Sequence, residues 1–358
     1  MGKTNKAFDK EFSPAVSLVI ATYNEESIIE KKIVNTLELD YPKDNLRIYF
    51  VTDGSNDGTN NILKSYPDIN VLFRPERKGK VAAINHAMEH ISTPVVIFCD
   101  ANTFLNKSCV KEIVKHYADE TIGAVAGEKK VIDLSGKNSA AGSGEGIYWR
   151  YESLLKKLDS NFFTVVGAAG ELFSMRTNLY EPVNTNILLD DFMISMDICK
   201  KGYRVMYEPL AFAMEAPSIS IREEQKRKIR ISAGGFQSIY LLKSLLNIFK
   251  YGKLSFQYIS HRVLRWAVCP LLLPLVFILN IIICNLMSEE LYCLLLIAQS
   301  LFYLTAFTGW AFAQRNIKLK IFYVPYYFLF MNIALYAGFF RFLNNKQSVL
   351  WDKATRRN

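Results

Sequence analysis

The chain has 358 residues, of which 50% are hydrophobic, 22% charged and 13% aromatic, a composition that excludes intrinsic disorder as its main state. Its formal charge is +9 and its mean hydropathy +0.09, yet neither is evenly spread, since no Lys, Arg or His lies between Ala267 and Ala313. That asymmetry excludes a simple soluble enzyme and points to anionic lipid and an anionic substrate, not nucleic acid, as partners.

The opening segment, MGKTNKAFDKEF, has no apolar run that could serve as a signal peptide, and Lys6 stands where N-myristoylation wants Ser or Thr. The N-terminal domain is therefore expected in the cytosol. From residue 15, short apolar runs alternate with helical patterns. AVSLVIAT, LRIYFVTD, INVLFR, TPVVIFCDA and IGAVAGEKKV read as strands. EESIIEKKIVNTLEL, Asn60–Ser65, KVAAINHAMEHI and KSCVKEIVKHYA read as the helices between them. Such alternation with near-continuous apolar strands predicts a mostly parallel sheet covered on both faces.

Beyond residue 140 come an aromatic helix, EGIYWRYESLLKKLD, a Gly-rich stretch, VVGAAGELFSMR, a helix from Asp190 to Lys201 and a strand, YRVMYEP. A basic helical segment, Ile221–Ser238, leads into an amphipathic piece whose Lys243, Lys250, Lys253, His261, Arg262 and Arg265 suit the membrane interface. Three apolar stretches follow, Trp266–Met287, Leu291–Ala313 and Ile321–Leu343, each about 33 Å long as helix and able to span a bilayer. The six cysteines show no CxxC spacing and suggest neither a zinc site nor a disulfide framework.

In parallel sheets ligands bind beyond the carboxyl ends of the strands, so chemistry is sought there. Asp53 closes LRIYFVTD and opens DGSNDGT. The latter looks like a calcium loop, but its twelfth position is Lys64 and a strand precedes it, so calcium is rejected. A turn, or recognition of a base or ribose by the carboxylate, is left. Asp100 and Asn102, two apart after VVIFC, could hold one hard cation, Mg2+ or Mn2+, against a diphosphate. Asp190 and Asp191 head a helix, where one can cap while the other acts as a general base. Arg227 and Arg230 share a helix face and could reach a diphosphate together, and Lys80 stands near a helix start that favours anions.

Eight segments, ATYNEE, DGSNDGT, KGKVAAIN, FCDAN, GAAGELFSMR, LDD, GYRVMYEP and RKIRISAGG, stand in the order seen in family-2 glycosyltransferases. The chain resembles the membrane-bound, polymer-forming branch, which includes cellulose, hyaluronan and poly-N-acetylglucosamine synthases. The resemblance runs from Ser13 to Arg265 and more loosely through the apolar tail. It implies an α/β fold of GT-A type that binds a nucleotide-sugar, followed by amphipathic interface helices and transmembrane helices. By position, Tyr23, Glu25 and Asp53 resemble the nucleotide pocket, Lys80 the diphosphate contact, Asp100 and Asn102 the metal motif, and Asp191 the catalytic base. Departures are Asn102 for a second Asp, Asp190 for Glu, and Arg227 and Ile231 where the family has Gln and Trp. The last removes the aromatic surface that supports an acceptor sugar in processive synthases.

The expected organisation is a polar segment (1–12), a catalytic domain (13–240), interface helices (241–265), a membrane region (266–344) with two spans and a third spanning or re-entrant helix, and a basic tail (345–358). The expected function is inverting transfer from a nucleotide-sugar donor, a UDP-sugar, to a glycan or lipid-linked acceptor at the cytosolic face of the plasma membrane, with polysaccharide-assembly proteins as further partners. Alternatives are transfer to a polyprenyl phosphate, which needs no carboxylate base, and a non-catalytic nucleotide-sugar sensor or export scaffold. Charge placement around the spans keeps the tail cytosolic, and Trp351 and Arg356 resemble a segment that hyaluronan synthases place over the nucleotide pocket. They are expected to gate the donor site.

Overall fold

The computed structural model describes residues 12–131, 141–216, 221–287, 290–315, 317 and 319–344. These fall into two compact units, one of residues 12–131 and 151–216 and one of residues 141–150 and 221–344, with one helix, Ala141–Phe162, divided between them. The expected gating residues Trp351 and Arg356 lie outside the described residues.

The first unit is built on one eight-stranded sheet. Its strands are β1 (Val16–Thr22), β2 (Leu46–Asp53), β3 (Asn70–Arg74), β4 (Val95–Asp100), β5 (Phe104–Leu105), β6 (Ile122–Val131), β7 (Leu172–Arg176) and β8 (Arg204–Glu215), in the order β3-β2-β1-β4-β7-β6-β8-β5. Helices α1 (Glu26–Leu37), α2 (Thr59–Lys64), α3 (Lys80–Met88) and α4 (Cys109–Val114) alternate with the first strands; α5 (Ala141–Phe162) and α6 (Asp190–Lys200) come later. The strands β1 to β4 are mutually parallel, as the apolar runs predict. The sheet as a whole is mixed, because β7 runs antiparallel to both β4 and β6 while β6 and β8 are parallel.

Near-continuous burial along β1 and β2 explains their composition: a central strand covered on both faces has no solvent side to present. Leu18, Ile20, Ile29, Ile33, Phe50 and Ile97 are fully buried in one cluster, each worth about 1.5–3 kcal/mol in burial. Leu172–Arg176, read from sequence as the end of a Gly-rich stretch, is β7, and its backbone fills the space between β4 and β6. Its burial on the sheet was not signalled by alternation because LFSMR is too short to show a period.

In the second unit α7 (Ile221–Leu241) and α8 (Ile248–Tyr251) precede α9 (Lys253–Tyr258), which runs through a π-helical segment, Ile259–Val268, into α10 (Cys269–Met287). Helices α11 (Glu290–Gln314) and α12 (Lys320–Leu343) follow. Three helices here, Lys253–Leu286, Glu290–Gln314 and Lys320–Leu343, are long and apolar enough to cross a membrane. The third passes through Pro325 without a break. Glycines set the close approaches: a Cβ at Gly338 of α12 would lie 2.4 Å from Ser232 Cβ of α7, and one at Gly309 of α11 would lie 2.1 Å from the Phe322 carbonyl of α12. One expectation is overturned. Cys284 and Cys293 form a disulfide, with Cα atoms 5.1 Å apart. Cysteine spacing could not show it, since only the packing of α10 against α11 brings these two together.

Candidate functional site

The carboxyl ends of β1, β2 and β4 converge on the first turn of α3 and the head of α6. After β1, the segment Tyr23-Asn24-Glu25 makes a tight turn in which Asn24 takes a positive φ of 52°. Its side chain pairs with Asn56, the Glu25 N–H donates to Thr59 Oγ1, and the Gly58 N–H donates to Glu26 Oε2. The loops after β1 and β2 are thereby laced together. Tyr23 lies under the Arg77 guanidinium, 3.9 Å from its ring centroid. Asp53 is fully buried, and its two oxygens accept the Lys78 N–H at 2.9 Å and the Gly79 N–H at 2.7 Å. It therefore shapes the loop that delivers Lys80.

Lys80 stands at the first position of α3 and donates to Asp100 Oδ1 at 2.7 Å, with both side chains partly open, at 23% and 30% of full exposure. Burial works against the Lys80 charge, but Asp100, Asp190 and Asp191 outweigh it and hold the ammonium well above the usual lysine range. Asp100 itself is raised by burial, opposed by Lys80, with Glu171 and Glu215 adding to the rise. The turn that carries Asp100 and Asn102 is fastened from below. The fully buried Lys32 of α1 donates to Cys99 Sγ at 3.0 Å and to the Thr103 carbonyl at 2.5 Å, and Thr103 Oγ1 donates to the Asp100 carbonyl at 2.9 Å. Asn102 Nδ2 donates to Glu215 Oε1 at 3.4 Å.

Asp190 and Asp191 occupy the first turn of α6. The N-cap position is taken by Leu189, whose side chain makes no cap; Asp190 is buried with Oδ2 lacking a hydrogen-bond partner, and Asp191 accepts from the Phe192 N–H. Asp191 is pushed up to about 7, first by burial and then by the neighbouring Asp190 charge, with Lys80 pulling the other way. Gly170 backs onto this point, since a Cβ there would sit 3.0 Å from Lys80 Nζ and 3.2 Å from Asp191 Oδ2. The Gly-rich loop is held to α6 by Ser195, whose Oγ accepts the Ala168 N–H at 2.9 Å and donates to the Asp191 carbonyl at 2.8 Å. Gly167, at φ +86°, leaves no room for a side chain, because a Cβ would meet the Phe192 ring at 2.0 Å.

The structure thus brings Lys80, Asp100, Asp190 and Asp191 into one electrostatic cluster. Asn102 lies on the same turn as Asp100, while Tyr23, Glu25 and Asp53 shape the adjoining loops. Arg227 and Arg230 lie on α7 of the second unit, where Arg227 pairs with Glu224 at 3.1 Å.

The donor set fits a hard divalent cation. Its ligand atoms are oxygens, and five carboxylates (Asp100, Asp190, Asp191, Glu171 and Glu215) stand around the ammonium groups of Lys80 and Lys129. The unpartnered Asp190 Oδ2 is a further oxygen in that set.

Residues 17–181 match the family model described as glycosyl transferase family 2. The matched stretch is a glycosyltransferase domain similar to family 2. It is 26% identical over 233 residues to a poly-β-1,6-N-acetyl-D-glucosamine synthase of Staphylococcus aureus, covering 62% of this chain and 55% of that protein. A synthase of the same name from Staphylococcus epidermidis is 24% identical over 248 residues, covering 67% of this chain and 58% of that one. The chain thus spans little more than half the length of these curated relatives. In fold it is similar to a mannosyltransferase from Pyrobaculum calidifontis, solved with GDP-Man and Mn2+, at a TM-score of 0.68 and 24% identity, covering 95% of this chain and 90% of that one. The glycosyltransferase domain accordingly has the GT-A architecture. The family match ends before Asp190, so the two acids of α6 rest on geometry.

Three residues of the glycosyltransferase domain escaped the sequence reading. Lys129 of β6 is almost fully buried and pairs with Glu171 at 2.5 Å and with Glu215. The available signal was the alternation in β6, which sets Lys129 on the same face as the buried Val125.

Proposed function

We propose that this domain moves a sugar from a nucleotide-sugar donor, a UDP-sugar, to a hydroxyl of a glycan or lipid-linked acceptor, with inversion at the anomeric carbon, in the making of cell-surface polysaccharide. The observation that carries the reading is Asp191, a carboxylate raised to about 7 beside the Lys80–Asp100 pair and against the backbone of Gly170. A general base works best when its pKa lies near the operating pH. The names of the staphylococcal relatives support an N-acetylhexosamine as the transferred sugar.

In the reaction, Asp191 accepts the proton of the acceptor hydroxyl while that oxygen bonds to the anomeric carbon. The bond from that carbon to the diphosphate oxygen breaks on the opposite face, and the proton ends on Asp191. The ammonium of Lys80, fixed in its charged form by three carboxylates, offsets negative charge that gathers on the leaving diphosphate. Asp100 and Asn102, with Asp190 beside them, would hold Mg2+ or Mn2+. Bound there, the ion supplies further neutralisation of the diphosphate. Tyr23 and Glu25 would line the nucleotide side, and Asp53 supports it from beneath by holding the Lys78 and Gly79 amides.

The membrane-length helices support a bilayer location. The Cys284–Cys293 disulfide supports an oxidising environment for the adjoining ends of α10 and α11, as expected if the first span leaves the cytosol there. The test is nucleotide release by the detergent-purified chain from a panel of UDP- and GDP-sugars, with Mg2+ or Mn2+ and a glycan acceptor. Release of UDP from one donor, dependent on acceptor and metal, is the expected result; a panel without turnover or donor binding would overturn the reading.

A further inference from the structure

We propose that His86, Glu89 and His90 form a second cation site, for zinc or a similar borderline divalent ion, on the surface of the first unit at the C-terminal end of α3. Two of the chain's four histidines are gathered there. Each of the three residues offers one ligand atom, and these atoms all lie within 4.8 Å of one another. Tetrahedral zinc with bonds of about 2.0–2.1 Å sets its ligand atoms about 3.3 Å apart. His86 Nδ1 and Glu89 Oε2 already stand 3.4 Å apart, so small rotamer changes of exposed side chains close the rest.

Two independent features favour an ion. His90 Nδ1 lies 3.0 Å from the His86 carbonyl. A carbonyl oxygen only accepts, so Nδ1 carries the hydrogen and the lone pair resides on Nε2. Metal-bound histidines are commonly arranged this way, with the distal nitrogen oriented by a hydrogen bond from the other. The cluster also sits on the last turn of α3, with His86 in that turn and Glu89 at its cap, where the aligned peptide dipoles leave partial negative charge that attracts a cation.

The chemistry separates this place from the carboxylate cluster at the other end of the helix. Lys80 is the first residue of α3 and Met88 the last, eight residues or about 12 Å apart along the helix. Imidazole nitrogens suit zinc, copper, nickel and iron, whereas carboxylate and carbonyl oxygens suit magnesium and manganese. Glu89 and His90 are exposed, so an ion enters directly, and three protein ligands leave one position for water or an incoming ligand. The ion would clamp the end of the helix that Asn85 also anchors, through Tyr180 and the Val183 backbone. This site does not depend on the transfer reaction.

The experiment is isothermal titration of Zn2+ into the full-length, detergent-purified, tag-free chain after chelator treatment, with thermal unfolding recorded in parallel. About one ion per chain and a rise in the unfolding midpoint are expected. His86→Ala and His90→Ala should each weaken binding by more than tenfold while leaving the metal-free midpoint unchanged. Asp100→Ala should leave zinc binding intact, and excess Mg2+ should not compete. Absence of zinc uptake, or uptake that survives in both histidine variants, would overturn the proposal; loss of zinc in Asp100→Ala alone would assign the ion to the carboxylate cluster instead.

Discussion

Two acids in the same unit, one buried and one half-buried, meet desolvation with opposite results. Glu208 of β8 would be raised by burial, but donors from His116 and Lys115, each at 2.8 Å, and the Leu210 N–H hold it down to about 2. Asp191 of α6 is raised to about 7, with a second carboxylate beside it and one ammonium in opposition. The first acid is surrounded by groups that satisfy its charge, so it welds β8 to the end of α4. The second is kept partly unsatisfied, which is poor economy for stability and useful for taking up a proton. Folding alone does not explain a pair of adjacent carboxylates with an unpartnered oxygen.

The largest effect should come from removing the unsatisfied acid. Asp191→Asn is expected to lower transfer by about a hundredfold or more, the scale of general-base catalysis, while donor affinity, read by calorimetry, changes little. Asp100→Ala should come next, weakening donor binding in Mn2+ by more than tenfold but leaving metal-free binding of the bare nucleotide and the circular dichroism spectrum unchanged.

The satisfied acid should behave differently. Glu208→Gln removes the carboxylate that His116 and Lys115 share, leaving Lys115 its second partner Glu112, and should cost about 2–3 kcal/mol of stability in denaturant unfolding, with turnover per folded molecule unchanged. Because the Glu208 carboxyl is lowered on folding, its contribution is present above the ordinary glutamate range and is lost as pH falls toward 2. The gap between native and variant should therefore shrink as pH is lowered from 5. Asp191 has the opposite sign. Its carboxyl is raised on folding, so the folded state holds an extra proton, and that contribution is full below the ordinary aspartate range and lost as pH rises through about 7. In chelator at pH 8, Asp191→Asn should consequently unfold a few degrees higher than the native chain, and the advantage should shrink as pH falls and vanish only below about pH 4, under the ordinary aspartate range. Smallest should be Gly170→Ala, whose new methyl presses on Lys80 Nζ and Asp191 Oδ2 and should slow turnover several-fold, with Lys80 yielding part of the space.

Strands β1, β2 and β6 could be read from sequence nearly residue for residue, because buried apolar runs ended by Asp53 or opened after a turn leave little choice of register. Asp100 and Asp191 were legible for the same reason: an acid at a strand end or helix head stands where a parallel sheet binds its ligands. What could not be read depended on tertiary neighbours. Asp53 reads as a ligand contact, yet its oxygens hold the Lys78 and Gly79 amides from another loop. Asp190 reads as a cap, yet Leu189 takes the N-cap position and Asp190 Oδ2 is left without a hydrogen-bond partner. The pairing of Lys129 with Glu171 and Glu215 joins β6 to the residue before β7 and to the end of β8, and no local pattern couples segments so far apart in the chain. The same holds for the Cys284–Cys293 bond, which needs two helices folded back on each other.

The central claim, that Asp191 is a base tuned by its surroundings, is tested most directly by the pH dependence of kcat at saturating donor, acceptor and Mn2+. The account predicts a rate that rises with pH and levels off, with a limb that disappears in Asp191→Asn along with most of the rate. A flat profile, or an Asp191→Asn enzyme that keeps both the limb and native turnover on a neutral hydroxyl acceptor, would contradict it.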